Sequence, residues 1–307
     1  MNILSICGGG CRGIMCLYTL RELEKKTGKR IANIFDYFGA SSIGSVITCA
    51  LLISDDGINP KYTCEELYGI IGKLFKKIFS DSIYYKIKTG YGWFGSKYPN
   101  DNLEKSLEDF FENKKISDLL KPVCFPSFDG ISQKPIYFTK ETHGDIFIKD
   151  MLRATCAAPS YFDPKNMNMN GIDYTLYDSG VVCNNTALNI ELYATHNLKI
   201  IDKSNIFELC LGTGTTYTPL PTNGGTTGWL NSIIGYLFSG YNNNEIHELN
   251  LILDKDHFLF IDVEIDKYED LDNASDEATN YYISKINKWL SENEIMFSDF
   301  VNKLINK

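Results

Sequence analysis

Twice before residue 54, an apolar run of strand length breaks at a turn of small residues and resumes as an apolar helix. In the first, Ile3 to Cys7 runs into Gly8-Gly9-Gly10-Cys11-Arg12-Gly13. A helix from Ile14 to Lys26 follows, with Ile14, Leu17, Leu20 and Leu23 at helical spacing and Gly28 as its stop. In the second, Phe35 to Ala40 turns at Ser41-Ser42 into a helix over about Ile43 to Ile53. A chain that leaves a strand through a helix re-enters the sheet in the same direction. Two such units in succession predict an α/β fold wound on a mostly parallel sheet.

Further along, strand-like runs recur at Pro122–Phe125, Ile136–Phe138, Ile206–Leu211 and Phe258–Val263. Helices are expected at Cys64–Phe79, Leu103–Phe111, Ile148–Thr155 and Ala187–His196, and residues from about 276 to 306 read as largely helical. The stretch from about 57 to 120 reads as an insertion. No repeat or low-complexity linker divides the 307 residues, so one domain over 1–307 is expected.

A serine at an abrupt strand-to-helix turn projects its hydroxyl above the sheet edge, where a substrate carbonyl can reach it. The turn needs small residues on both sides because strand and helix pass close together. With Ser42 central those residues are Ala40 and Gly44; with Ser41 central they are Gly39 and Ile43. A β-branched isoleucine suits that crowding poorly, which favours Ser42. The glycine run opens a helix, so its backbone N–H groups suit an oxyanion. Gly8, Gly10 and Gly13 also fit a dinucleotide fingerprint, but Ala40, Ser41 and Ser42 stand where that fingerprint wants an acid.

A serine hydroxyl needs a base, and none of His143, His196, His247 or His257 sits in a recognisable catalytic context. Asp178, in Tyr177-Asp178-Ser179-Gly180, closes an apparent strand before a tight turn. A carboxylate held in a dry pocket can take the serine proton, because burial raises its basicity. Three readings stay open on the residues alone. One is an acyl hydrolase using a serine and an aspartate. Another is a conventional esterase in Ser–Asp–His order, since three histidines follow Asp178. The last is a non-catalytic module that holds phosphate or nucleotide on the glycine loop.

A net charge of −9 argues against nucleic acid as a partner. Nine cysteines without regular spacing and the lack of a charged leader predict reduced thiols in a cytoplasmic protein. No spacing of Cys and His suggests a metal site, and no cofactor is expected. No apolar run approaches the roughly 18 residues of a membrane span, so lipid would be met at a membrane surface.

The motifs and their order resemble the patatin-like phospholipases, a family of lipid acyl hydrolases. The resemblance rests on Gly8 to Gly13, on Ala40-Ser41-Ser42-Ile43-Gly44 and on Asp178-Ser179-Gly180-Val181-Val182-Cys183-Asn184-Asn185. Arg153-Ala154-Thr155-Cys156-Ala157-Ala158-Pro159-Ser160-Tyr161-Phe162 and Leu211-Gly212-Thr213-Gly214-Thr215 reinforce it. It covers about residues 3 to 216, and nothing specific is recognised in 217–307. It implies a three-layer α/β/α sandwich, Ser42 as nucleophile and Asp178 as base. It also implies an oxyanion hole from the amides of Gly9, Gly10 and Cys11 within Gly8–Gly13, with Arg12 supporting the loop. Ala40, Gly44 and Gly180 would shape the two turns. The implied substrate is a glycerolipid ester at a membrane or micelle surface, cleaved without a metal. The chain departs from the pattern at Cys7, Ala40 and Ser179, none of which is a reacting group.

Two segments are candidates for contact with lipid. One mixes Lys73, Lys76, Lys77, Lys86 and Lys88 with Phe75, Phe79, Tyr84 and Tyr85 and continues to Trp93 and Phe94; the other is Trp229–Phe238. For the first, the plainer reading turns Leu74, Phe75, Ile78 and Phe79 to the core and the lysines to water.

Overall fold

The computed structural model describes residues 1–80, 85, 88–89, 95–200, 203–216, 233–267 and 270–306, with backbone alone over 233–242. Eight strands form one sheet: Asn2–Ile6 (β1), Tyr37–Ala40 (β2), Val123–Asp129 (β3), Lys134–Thr139 (β4), Lys165–Met169 (β5), Ile172–Tyr177 (β6), Phe207–Leu211 (β7) and Phe258–Ile261 (β8). β3, β2, β1, β7 and β8 lie side by side in parallel. β4 and β6 run antiparallel to β3, and β5 runs antiparallel to β6. The sheet is therefore mixed, with a parallel centre. β6 is the apparent strand that Asp178 closes, whereas β5 has no counterpart among the expected strands, because Lys165–Met169 alternates polar and apolar residues without a hydrophobic run.

Side chains alternate across a strand, and here both faces are covered. Leu4 and Ile6 of β1, Phe38 and Ala40 of β2 and Leu209 and Leu211 of β7 pack in one core with the helices Ile14–Thr27 and Ile43–Leu52. Ile3, Cys7 and Cys210 pack in the other, against Ala187, Ile190 and Ala194 of the Ala187–Leu198 helix. Helices on two faces of one sheet make the three-layer α/β/α arrangement. The Ile43–Leu52 helix has all ten residues buried, which explains why its sequence carries no charge.

The stretch read as an insertion is part of that core. Its helices, Cys64–Ile78 and Asn100–Phe111, bury Leu67, Ile71, Leu74, Phe75, Leu103 and Leu107 there. Lys73, Lys76 and Lys77 face outward; Lys76 pairs with Asp276 at 2.6 Å and Lys77 with Asp109 at 2.8 Å. The plainer reading of that segment accounts for these residues. Tyr84, Lys86, Trp93, Phe94, Trp229 and Leu230 lie outside the described residues. The C-terminal helices Asp276–Glu292 and Glu294–Ile305 add Tyr282, Ile286, Phe297, Phe300 and Val301 to the same core. The Asn2 amide ties them to β1 by donating to Ile34 O at 2.8 Å and Leu304 O at 3.0 Å. Among the described residues, no helix is long and apolar enough to cross a membrane.

The chain proceeds from β1 outward to β2 and β3, and later returns to β7 on the other side of β1. Open α/β sheets form their crevice at such a reversal, beyond the carboxyl ends of the strands. The glycine loop follows β1 at that point. The Ile43–Leu52 helix starts so close to the end of β1 that a Cβ on Gly44 would lie 2.4 Å from Ile6 O. Backbone cannot retreat as a side chain can. Gly44→Ala should therefore cost about 1–3 kcal/mol of stability, read as a lowered denaturant midpoint; an unchanged midpoint would contradict the packing.

Candidate active site

β3 explains how two distant residues meet. β4 occupies one edge of β3 from Cys124 to Asp129. On the other edge, β2 pairs with Val123 and Cys124, and β6, running the opposite way, pairs with Phe128 and Asp129. β2 ends at Ala40 and β6 at Tyr177, so the two strands stop facing each other along one edge. The next residues of each form the site.

On the β2 side, Ser41 N still bonds to Ile6 O at 3.0 Å, as a strand residue would. Ser42 then takes φ 50 and ψ −122, and the helix begins with Gly44 N–H donating to Ser41 O at 2.8 Å. A positive φ on a non-glycine residue costs on the order of 1–3 kcal/mol and persists only where its surroundings hold it. The Ala40 side chain is wholly buried in the core at this turn, which therefore accepts a methyl there.

On the β6 side, Asp178 is 5% exposed. Its Oδ2 accepts a 2.7 Å hydrogen bond from Ser42 Oγ, and its Oδ1 accepts one of 2.7 Å from Gly180 N–H. Burial pushes the Asp178 carboxyl up to about 6, while the Gly180 and Ser42 donors pull the other way. A hydroxyl held on a carboxylate of raised basicity can be deprotonated as it attacks an electrophile.

The glycine loop closes the site on a third side. Thr213 Oγ1 donates to Gly8 O at 2.6 Å, and Gly8 N–H donates to Asn184 O at 3.2 Å. Gly10 has φ +56, and a Cβ there would lie 2.1 Å from Leu271 O. The same carbonyl accepts the Cys11 N–H at 2.7 Å. This corrects one expectation: the Cys11 amide, read as an oxyanion donor, is already engaged. Arg12 N–H likewise donates to Gly9 O at 3.2 Å. Gly9 and Gly10 line the cavity and leave their amides as the donors on offer, whereas Cys11 and Gly13 do not line it. Gly13 instead packs against Ile43 of the Ile43–Leu52 helix.

The cavity has a volume of about 620 Å³. Its polar end carries Ser42, Asp178, Gly9, Gly10 and Arg12; its wall is Val46, Phe75, Ile78, Phe79, Leu103 and Phe162. None of the four histidines lines it, and His257 is instead stacked on Phe207 at 4.0 Å. Among the described residues, no group of three or more His, Cys, Asp or Glu is placed to hold a metal. All nine cysteines are buried and unpaired.

Several residues of the site carry roles that the motifs alone do not disclose. Thr213 and Asn184 fall inside quoted motifs, but the Thr213 contact with Gly8 depends on β7 lying beside β1, and the Asn184 contact on the chain after β6 reaching the glycine loop. Leu271 lies in the part of the chain without a recognisable pattern. Ser179, read only as a departure, touches both serines of the turn: Ser41 Oγ and Ser42 N are each 2.7 Å from its hydroxyl.

A family model described as patatin-like phospholipase matches residues 4–190. Patatin-like protein 6 of Arabidopsis thaliana is 31% identical over 236 residues, which are 69% of this chain and 46% of that protein. Patatin group J-1 of Solanum tuberosum is 29% identical over 242 residues, 70% of this chain and 61% of that protein. The chain thus spans about half to three fifths of these relatives' lengths. Among solved structures, human GIVD cytosolic phospholipase A2 is similar in fold, with a TM-score of 0.51 at 11% identity over 100% of this chain and 60% of that one.

If Asp178 acts as the base for Ser42, its ionisation state sets a pH dependence. Only the ionised carboxylate can draw the Ser42 proton, so labelling of Ser42 by a fluorophosphonate should fall as pH drops through about 6. Its raised value also means that the folded state disfavours ionisation relative to the unfolded one, so above both values the buried charge costs stability. Asp178→Asn, which removes that charge at constant shape, should melt no lower than the native protein at pH 8. A flat labelling profile between pH 5 and 8, or a markedly lower melting temperature, would contradict the assignment.

Proposed function

The chain belongs to the patatin-like phospholipase family, and we propose on that premise that it is a serine-dependent lipid acyl hydrolase working through Ser42 and Asp178. The observation that carries the proposal is the 2.7 Å bond from Ser42 Oγ to Asp178 Oδ2 at the polar end of an apolar cavity.

In this reading, a fatty acyl chain lies along Val46, Phe75, Ile78 and Phe162, which brings its ester carbonyl to Ser42. Ser42 Oγ attacks the carbonyl carbon as Asp178 takes the hydroxyl proton. The oxyanion that forms is held by the Gly9 and Gly10 amides, donors fixed in place before the charge develops. As the intermediate collapses, Asp178 returns the proton to the leaving alcohol oxygen and an acyl-serine remains. Water, deprotonated by Asp178, then attacks that ester; the fatty acid leaves and the proton returns to Ser42.

A Ser–Asp–His arrangement has less support, since no histidine lines the cavity. The substrates proposed are phospholipids or related glycerolipids at a membrane or micelle surface. A cytoplasmic setting suits nine unpaired thiols.

Incubation with mixed phospholipid and galactolipid vesicles, followed by mass spectrometry, should show free fatty acid and a deacylated lipid with the native protein and neither with Ser42→Ala. Asp178→Asn should lower turnover by about 10²- to 10⁴-fold, the usual worth of a positioned base. Product formation that survives Ser42→Ala would reject the proposed nucleophile.

A further inference from the structure

We propose that Ser179 is a positioning residue: its hydroxyl fixes the backbone of Ser42 while the adjacent Asp178 holds the Ser42 side chain. The dipeptide Asp178-Ser179 would then clamp the nucleophile from two directions. This rests on reading Ser42 and Asp178 as nucleophile and base.

A serine hydroxyl has one proton to donate and two lone pairs to accept with. All three are used at Ser179. Its Oγ donates to Thr155 O at 3.2 Å, accepts the Ser42 N–H at 2.7 Å and pairs with Ser41 Oγ at 2.7 Å, where Ser41 is then the donor. Ser179, Ser41 and Thr155 are fully buried. The chain of bonds ends on the sheet, because Thr155 Oγ1 donates to Pro126 O of β3 at 2.8 Å. Asp178 N–H is anchored close by, on Ala157 O at 3.0 Å.

The need for such a partner follows from the turn. At φ 50 the Ser42 amide has left the β2 ladder, and the helix does not begin until Gly44 N–H finds Ser41 O. A buried N–H without an acceptor costs about 1–3 kcal/mol. Glycine or alanine at 179 offers no side-chain acceptor, and unless a water takes the place of the hydroxyl, relief requires the Ser42 peptide to rotate. That rotation would swing Oγ away from Asp178 Oδ2. Misplacement by about 1 Å at a reacting atom can cost on the order of 10²-fold in rate.

The test compares Ser179→Ala, Ser179→Gly, Ser41→Ala and Ser42→Ala with the native protein on a soluble short-chain p-nitrophenyl ester. It reads kcat, KM, the acid limb of the pH profile and the thermal melt. Ser179→Ala should lower kcat by on the order of 10- to 100-fold, as loss of a supporting hydrogen bond does elsewhere, with KM little changed. Its acid limb should move to higher pH, because Asp178 loses a donor that favours its ionised form. Ser41→Ala leaves the Ser42 N–H bond in place, so its loss should be smaller and its limb unmoved. If Ser179→Ala does not fold, Ser179→Gly is read by the same criteria. A folded Ser179 variant with native kcat and an unmoved limb overturns the proposal, as do equal losses in the Ser41 and Ser179 variants without a shift. Inactive Ser42→Ala beside a fully active Ser179→Ala removes the positioning role alone. An active Ser42→Ala removes the nucleophile assignment and this proposal with it.

Discussion

The hydrogen bond between the Ser42 hydroxyl and the Asp178 carboxylate is the interaction on which the rest of the site depends. The partners stand 136 positions apart in the chain. They meet because β2 and β6 approach from opposite directions along one edge of β3 and stop short of each other. The pairing is costly in two ways, through a positive φ at Ser42 and a carboxylate kept from water. Both costs are local. They are offset by the cores on the two faces of the sheet and by the hydrogen bonds that Ser179, Gly180 and Ala157 make to the pair.

The glycine loop illustrates how non-local partners define a local motif. Thr213 and Asn184 hold its first residue, Gly8, and the Cys11 amide is consumed by the Leu271 carbonyl. Leu271 comes from the part of the chain beyond the recognised motifs, yet it decides which N–H groups remain free to meet a substrate oxygen. Asp272, the next residue, is buried and accepts from Tyr98 OH at 2.6 Å and pairs with Lys97. The loop is thus pressed into place by a segment held from outside the site.

The same economy appears in the cavity wall. The Cys64–Ile78 helix carries one apolar face, and Phe75 and Ile78 on that face serve both the core and the cavity. Its lysines face water, and two of them pair with acids on other helices. A helix whose charged side made it a candidate for contact with lipid therefore contributes to lipid chemistry, in the proposed reading, through its buried side.

Much was legible from residues alone. Apolar runs of strand and helix length in alternation dictate parallel strands, since a helical crossover admits little else. The preference for Ser42 over Ser41 in the proposed reading rests on the poor fit of Ile43 to the turn, a matter of neighbours in the chain. Asp178 stood out for closing a strand at a turn. What stayed hidden has a common cause. β5 lacks a hydrophobic run, the engagement of Cys11 depends on Leu271, and the contacts of Ser179 depend on a turn more than 130 positions away. Sequence determined most of the elements and which residue types could react, because those follow from short-range spacing. Tertiary structure alone decided which groups meet, which amides are free and how basic the carboxylate becomes, because distance and burial are set by the packing of segments remote in the chain.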